Sequence, residues 1–191
     1  MKTVTYIDKR NKKVSITVGI LILVAYSILG TNNPNAKVLS MSLEIISGLA
    51  VIGIAILMFP FLKHYGKKSS QSYLALKSIE GILMIIAGIL FFIHTPSLLA
   101  LRDQIYLIHG YIFAIPALLF YFLLYQSKLI PRWLSIWGSI ASVLLIIVNL
   151  LELMKIIPAL EVLYLPIVLN EIVLALWLIT KGFNMPIINS H

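Results

Sequence analysis

The 191-residue chain is 60% hydrophobic, 12% charged and free of cysteine, and its mean hydropathy is +1.00. Because a soluble domain carries about a quarter charged residues, this composition excludes a soluble globular enzyme, and the apolar excess also excludes a disordered or coiled-coil protein. The lack of cysteine excludes disulfides, thiolate nucleophiles and cysteine-ligated metal centres, so we predict a small integral membrane protein.

Six apolar segments are long enough to cross a bilayer as helices, which takes about 20 residues. In chain order they are 14–30, 38–62, 71–94, 105–126, 133–154 and 162–180. The first follows a basic run as a signal peptide would, but no small-residue cleavage site comes after it, so we interpret it as a retained helix. The connections are short, and we predict a single all-α domain over residues 1–191, a polytopic membrane protein with a bundle of six transmembrane helices.

The distribution of lysine and arginine indicates the orientation. Eleven of the 15 basic residues fall on the side of the N-terminus, three (Lys37, Arg102 and Lys155) fall in loops on the other side, and Lys77 lies within a span. By the positive-inside rule, we predict that both termini lie in the cytoplasm. We expect the protein to lie in the plasma membrane of the cell. We expect this basic surface to contact the anionic lipid headgroups of the bilayer, and we do not expect it to bind nucleic acid. Residues at the inner span ends are predicted interface anchors: Arg132, Trp133, Trp137 and Trp177.

Polar residues inside the spans are the candidates for function. A charge at the bilayer centre costs about 2.5–3.5 kcal/mol, so such groups usually face the bundle interior. The helical rise puts Glu80 and Glu171 about 14 Å from a span edge, near the midplane. Lys77 and Glu80 are three residues apart on one helix face and can pair. We expect the second, third, fifth and sixth helices to meet around a polar core with these ligand candidates: Glu44, Lys77, Glu80, Asn149, Asn170 and Glu171.

Two interpretations of this core remain open: a structural hydrogen-bonded network, or a site for a small solute, a proton or a cation. A binding or transport protein is therefore one functional hypothesis, and a non-catalytic membrane subunit or sensor is another. A third is a membrane-embedded metal enzyme that uses Glu44, His109 and Glu152, which have suitable ligand types but no motif spacing. We assign no catalytic residue. We also expect no cofactor, because a membrane haem needs two axial ligands and only one histidine, His109, lies well inside a span.

Four segments carry a resemblance to a known family. They are residues 44–55 (EIISGLAVIGIA), 79–82 (IEGI), 129–138 (LIPRWLSIWG) and 166–184 (PIVLNEIVLALWLITKGFN). Together they resemble the prokaryotic membrane family called domain of unknown function 4386, over about residues 14–184. The resemblance implies a multi-pass bacterial or archaeal membrane protein, implies no activity, and places Glu44, Glu80, Glu171, Pro131 and Arg132 in the family's pattern. The chain departs from that pattern at Lys77, where the family often has arginine, which forms a bidentate fork that lysine lacks.

Overall fold

The computed structural model describes residues 2–27, 34–158 and 161–184, and within these ranges the chain is helical and has no strand. The six α-helices are α1 (Lys2–Ala25), α2 (Lys37–Leu62), α3 (Lys67–Ile93), α4 (Pro96–Ser127), α5 (Arg132–Leu153) and α6 (Leu165–Thr180). Short 3₁₀ helices, Pro34–Ala36 and Glu161–Tyr164, precede α2 and α6. The predicted all-α class is confirmed.

In the part of the chain that the structure describes, five helical segments are long and apolar enough to cross a membrane: Lys37–Leu62, Lys67–Ile93, Pro96–Ser127, Arg132–Leu153 and Val162–Thr180. They match the second to sixth predicted spans. The largest difference is at α4, which begins at Pro96 rather than at residue 105. Proline is favoured in the first helical turn because its missing N–H would have no intrahelical partner there. The first predicted span falls in α1, whose first half is polar and charged, and residues 28–30 of that span lie outside the described residues.

The helices form a closed ring in which each packs against the next in sequence and α1 packs against α6. Small residues allow the closest approaches, as in other membrane helix pairs. A Cβ added to Gly48 of α2 would lie 2.5 Å from the carbonyl oxygen of Gly81 of α3, and one added to Gly81 would lie equally close to that of Gly48. A Cβ on Gly19 of α1 would lie 2.7 Å from the carbonyl oxygen of Ala175 of α6. The ring is thus closed by backbone-to-backbone packing on both sides.

One end of the ring, which we call the basic end, contains the α2–α3 and α4–α5 connections and the end of α6. Toward this end the interior is filled by fully buried apolar side chains: Met58, Leu62, Leu123, Leu124, Leu134 and Leu178. On the outside, large apolar side chains such as Ile140 (64% exposed) and Leu107 (67%) face away from the bundle, as side chains in contact with lipid do. The interior is therefore sealed near the basic end, and its buried charged groups, Glu44, Lys77, Glu80 and Arg102, lie farther along the bundle.

Candidate functional site

A cavity of about 230 Å³ lies inside the ring, between α1, α2, α3, α4 and α6. Its floor toward the basic end includes Tyr73 and Phe120, whose rings stack with centroids 5.0 Å apart. An apolar cavity of about 150 Å³ already accepts a benzene molecule, so this space is large enough for a small organic solute. Its walls are largely apolar and aromatic with a few charged groups, which is the usual form of a small-molecule site.

Lys77 and Glu80 of α3 form an ion pair in the cavity wall, as their spacing predicts. The Lys77 Nζ donates a hydrogen bond to Glu80 Oε1 at 3.0 Å and lies 2.9 Å from Oε2. Both residues are buried, and the ammonium also lies 4.6 Å from the centroid of the Phe113 ring. The charge of the Glu80 carboxylate is therefore largely compensated by the ammonium of Lys77 on the same helix.

Glu171 of α6 enters the cavity from the other side of the ring. Its Oε2 accepts a hydrogen bond of 2.9 Å from the hydroxyl of Tyr26, which follows α1. Within the described parts of the chain, no lysine, arginine or histidine nitrogen comes within 4.0 Å of this carboxylate. Tyr26 was missed at the sequence level, because a tyrosine near the end of an apolar span is also typical of a membrane interface.

Two further polar groups in the cavity wall lack hydrogen-bond partners among the described residues. The His109 Nε2 lies 4.0 Å from Glu80 Oε1 and makes no hydrogen bond, and the fully buried Tyr73 hydroxyl makes none either. Buried polar groups are usually paired with protein or with ordered water. An occupant of the cavity, whether water or a solute, would satisfy these groups. His109 was predicted as a metal-ligand candidate and not as part of this cluster.

Glu44 does not reach the cavity. Its Oε1 accepts a 2.6 Å hydrogen bond from Arg102 of α4, and the Arg102 guanidinium carbon lies 4.6 Å from the ring centroids of both Phe91 and Tyr106. The sequence analysis placed Arg102 in an outer loop, and this assignment was wrong. Because α4 begins at Pro96, Arg102 lies within its second turn and is 7% exposed, so a buried ion pair joins α2 to α4.

Asn149 and Glu152 of α5 contact neighbouring segments and do not line the cavity. The Asn149 Nδ2 donates to the Gly110 carbonyl of α4 at 2.9 Å. The Tyr164 hydroxyl lies 3.1 Å from both Asn149 Oδ1 and Glu152 Oε2, and its single proton serves one of them at a time. The predicted core between the second, third, fifth and sixth helices is therefore corrected: α1 and α4 line the cavity, and α5 does not.

Asn170 has a structural position between α5 and α6. It is fully buried, and its Nδ2 donates a 3.1 Å hydrogen bond to the Leu134 carbonyl oxygen. Although it precedes Glu171 in sequence, it does not line the cavity, because successive helical residues point about 100° apart. Of the six predicted ligand candidates, the cavity thus brings together Lys77, Glu80 and Glu171.

The proposed metal set of Glu44, His109 and Glu152 is not brought together. Glu44 pairs with Arg102, His109 lies near Glu80, and the Tyr164 hydroxyl contacts Glu152. In residues 2–27, 34–158 and 161–184, no group of three or more histidine or acidic side chains is arranged to hold a metal ion.

The four predicted interface anchors all lie on the basic-end halves of α5 and α6. Arg132 is exposed, with its guanidinium carbon 5.4 Å from the Tyr125 ring centroid. Trp133 is 53% exposed and stacks on Trp137 with ring centroids 6.4 Å apart, while Trp177 packs against the core. Their depth in a bilayer remains a prediction.

A family model described as Domain of unknown function (DUF4386) matches residues 23–182. The match covers most of the chain, so the protein belongs to this family, as the sequence motifs indicated. No curated protein and no solved structure gives a significant match.

Proposed function

We propose that this member of the DUF4386 family is a binding or transport protein of the plasma membrane that takes a small solute into its central cavity. The observation that carries the proposal is the cavity of about 230 Å³, into which α3 and α6 direct Glu80, Lys77 and Glu171. A charged group is costly inside a membrane, and such groups often mark the path of a solute or ion.

The packing of α1 supports six spans. The Ser27 hydroxyl lies 2.8 Å from that of Ser47 of α2, and a Cβ on Gly182, beyond the end of α6, would lie 3.3 Å from Ser15 Oγ. Residues 15–27 therefore run alongside α2 and α6 through most of the bundle. With the basic end in the cytoplasm, as the positive-inside rule requires, both termini lie on the cytoplasmic side.

A binding role is supported by two polar groups of the cavity wall, the Tyr73 hydroxyl and His109 Nε2, which have no hydrogen-bond partner in the described chain. Buried polar groups are usually paired with protein or with ordered water, so water or a solute in the cavity would satisfy them. The cavity of about 230 Å³ also has room for several water molecules, since one water molecule needs about 10–15 Å³. The same groups that hold water would hold a solute.

Cysteine labelling tests access to the cavity, since the natural chain contains no cysteine. Val168 lines the cavity one helical turn from Glu171, whereas Ile140 is 64% exposed on the outer face of α5. In liposomes we expect a neutral hydrophilic reagent, hydroxyethyl methanethiosulfonate, to modify Val168→Cys at least about tenfold faster than Ile140→Cys, because thiolates form in water and not in hydrocarbon.

Gly110→Cys is the second cavity variant, since a Cβ at Gly110 meets no atom within 4 Å and the residue lines the cavity. We expect it to react as Val168→Cys does. If both cavity variants fold and react no faster than Ile140→Cys, the cavity is closed to solutes and the proposed function is wrong.

A further inference from the structure

We infer that the cavity binds a small organic cation, an amine or ammonium compound about the size of benzylammonium. The inference rests on the proposed function and names the class of its solute. It follows from three features of the same cavity: its charge, its aromatic walls and the unequal pairing of its two carboxylates.

The charged groups of the cavity favour a cation. The walls contain two carboxylates, Glu80 and Glu171, but one lysine, Lys77, and an imidazole, His109. With the carboxylates and lysine ionised and the imidazole neutral, the site carries one surplus negative charge. In an empty cavity a proton shared among these groups would neutralise it. A bound monocation replaces that proton and leaves the site neutral.

The position of the surplus charge is set by the pairing. Glu80 has the Lys77 ammonium within 3.0 Å of both its oxygens. Glu171 receives only the neutral hydroxyl of Tyr26 in the described structure, and its side chain is half-buried. Glu171 is therefore the carboxylate that has lone pairs left for an ammonium group, and it is the expected counter-ion of the ligand.

Aromatic rings complete a site for an organic cation. Phe113, Phe120, Tyr73 and Tyr26 line the cavity, and ring faces attract ammonium groups within about 6 Å of the centroid, most strongly when the site excludes water. The Lys77 ammonium already lies over Phe113 in this way. A ligand that has an ammonium group and an apolar body matches both the charge and the walls.

Other occupants fit less well. An anion would need Lys77, whose ammonium is engaged by Glu80, and would be repelled by Glu171. A bare Ca²⁺ or Mg²⁺ ion needs about six oxygen ligands, whereas the described residues offer no group of three acidic or histidine side chains that could hold a metal. A neutral solute would leave the shared proton in place and would gain no charge attraction from Glu171.

Protection of the cavity cysteine tests the inference with three probes of similar size: benzylammonium, benzoate and benzyl alcohol. At equal concentrations and neutral pH, we expect benzylammonium to slow the labelling of Val168→Cys by hydroxyethyl methanethiosulfonate at least about tenfold. Benzoate and benzyl alcohol should slow it less than about twofold, because they share the ring but lack the positive charge. Gly110→Cys repeats the measurement at a second wall of the cavity.

Substitution of the carboxylates identifies the counter-ion. In the Val168→Cys background, Glu171→Gln should raise the benzylammonium concentration needed for half-protection at least about tenfold, since one charge-assisted contact is lost. Glu152→Gln is the matched control, because Glu152 is a carboxylate outside the cavity, and it should leave protection unchanged.

The outcomes separate the two proposals. Rapid labelling that benzoate or benzyl alcohol blocks as well as benzylammonium does, or protection that Glu171→Gln leaves intact, would overturn the organic-cation inference while the binding cavity stands. Failure of both folded cavity variants to react faster than Ile140→Cys would overturn the proposed function itself.

Discussion

Removal of Arg102 should be the most destabilising single charge change in the described part of the protein. Arg102→Met keeps a long apolar stem but deletes the guanidinium that binds Glu44 Oε1 at 2.6 Å. The Glu44 side chain is 0% exposed in this pair, so the variant leaves a buried carboxylate without its counter-ion.

The expected cost follows from that burial. Breaking a buried ion pair by removing one partner costs about 3–5 kcal/mol, and loss of the cation–π contacts with Phe91 and Tyr106 adds about 0.5–1 kcal/mol for each ring. The free energy of unfolding should thus fall by about 4–7 kcal/mol. The double variant Glu44→Gln/Arg102→Met removes both charges, and its cost should be at least about 2 kcal/mol smaller than that of Arg102→Met alone.

Denaturant titration in mixed micelles, followed by far-UV circular dichroism and tryptophan fluorescence, measures these differences. Arg132→Met is the matched control, because Arg132 is exposed and contacts an aromatic ring at 5.4 Å without a buried partner, and it should cost less than about 1 kcal/mol. A cost below about 1 kcal/mol for Arg102→Met, or a double variant as unstable as the sum of its two single changes, would refute the assignment of a buried, coupled ion pair.

Three further predictions concern packing, hydrogen bonding and topology. Gly138→Ala should lower the free energy of unfolding by about 1–3 kcal/mol, because the new Cβ would overlap a buried tyrosine ring. Gly110→Ala, which has open space at its Cβ, should be neutral or stabilising. Equal effects of the two variants in the same titration would contradict the packing at Gly138. Tyr164→Phe should lower the free energy of unfolding by about 1–2 kcal/mol, because the hydroxyl loses its contact with the polar groups of α5. The control Tyr65→Phe, at an exposed tyrosine, should lower it by less than about 0.5 kcal/mol. Equal effects of the two variants would argue against the Tyr164 contact. His64→Cys, at the basic end, should react with an impermeant maleimide only after the cells are permeabilised, and labelling in intact cells would reverse the proposed orientation.

The spacing of residues along single helices was enough to predict several features of the fold. The stripe of Tyr73, Lys77, Glu80 and Met84 along one face of α3 is buried in the structure, as its i, i+4, i+7, i+11 spacing predicts. The ion pair between Lys77 and Glu80 follows from the same spacing. Such features depend on one helix alone, so the sequence of that helix is enough to predict them.

Contacts between distant helices were not predictable in the same way. The partner of Glu44 lies 58 residues away, in a stretch that the hydropathy pattern assigns to a loop because it contains Arg102 and Asp103. The helix extends through this stretch since proline favours its first turn and aromatic rings cover the arginine. The residue pattern of α2 or α4 alone does not predict the contact between Glu44 and Arg102.

The choice of cavity-lining helices also depended on tertiary packing. The fifth span contains Asn149 and Glu152 as the third contains Lys77 and Glu80, but Asn149 and Glu152 bond to groups on neighbouring segments. Tyr26, by contrast, stands alone at the end of α1 and reaches Glu171 only because the ring closes between α1 and α6. Ring closure brings together the first and the last helix, which a local pattern does not indicate.

A crystal structure of the protein grown in a lipid phase with 4-bromobenzylammonium is the decisive test of the cavity and its ligand. We expect Glu80 and Glu171 to face one cavity, with bromine density inside it and the ammonium group against Glu171. A carboxylate turned toward the acyl chains, or side chains that fill the space between α3 and α6, would show that the proposed cavity is wrong.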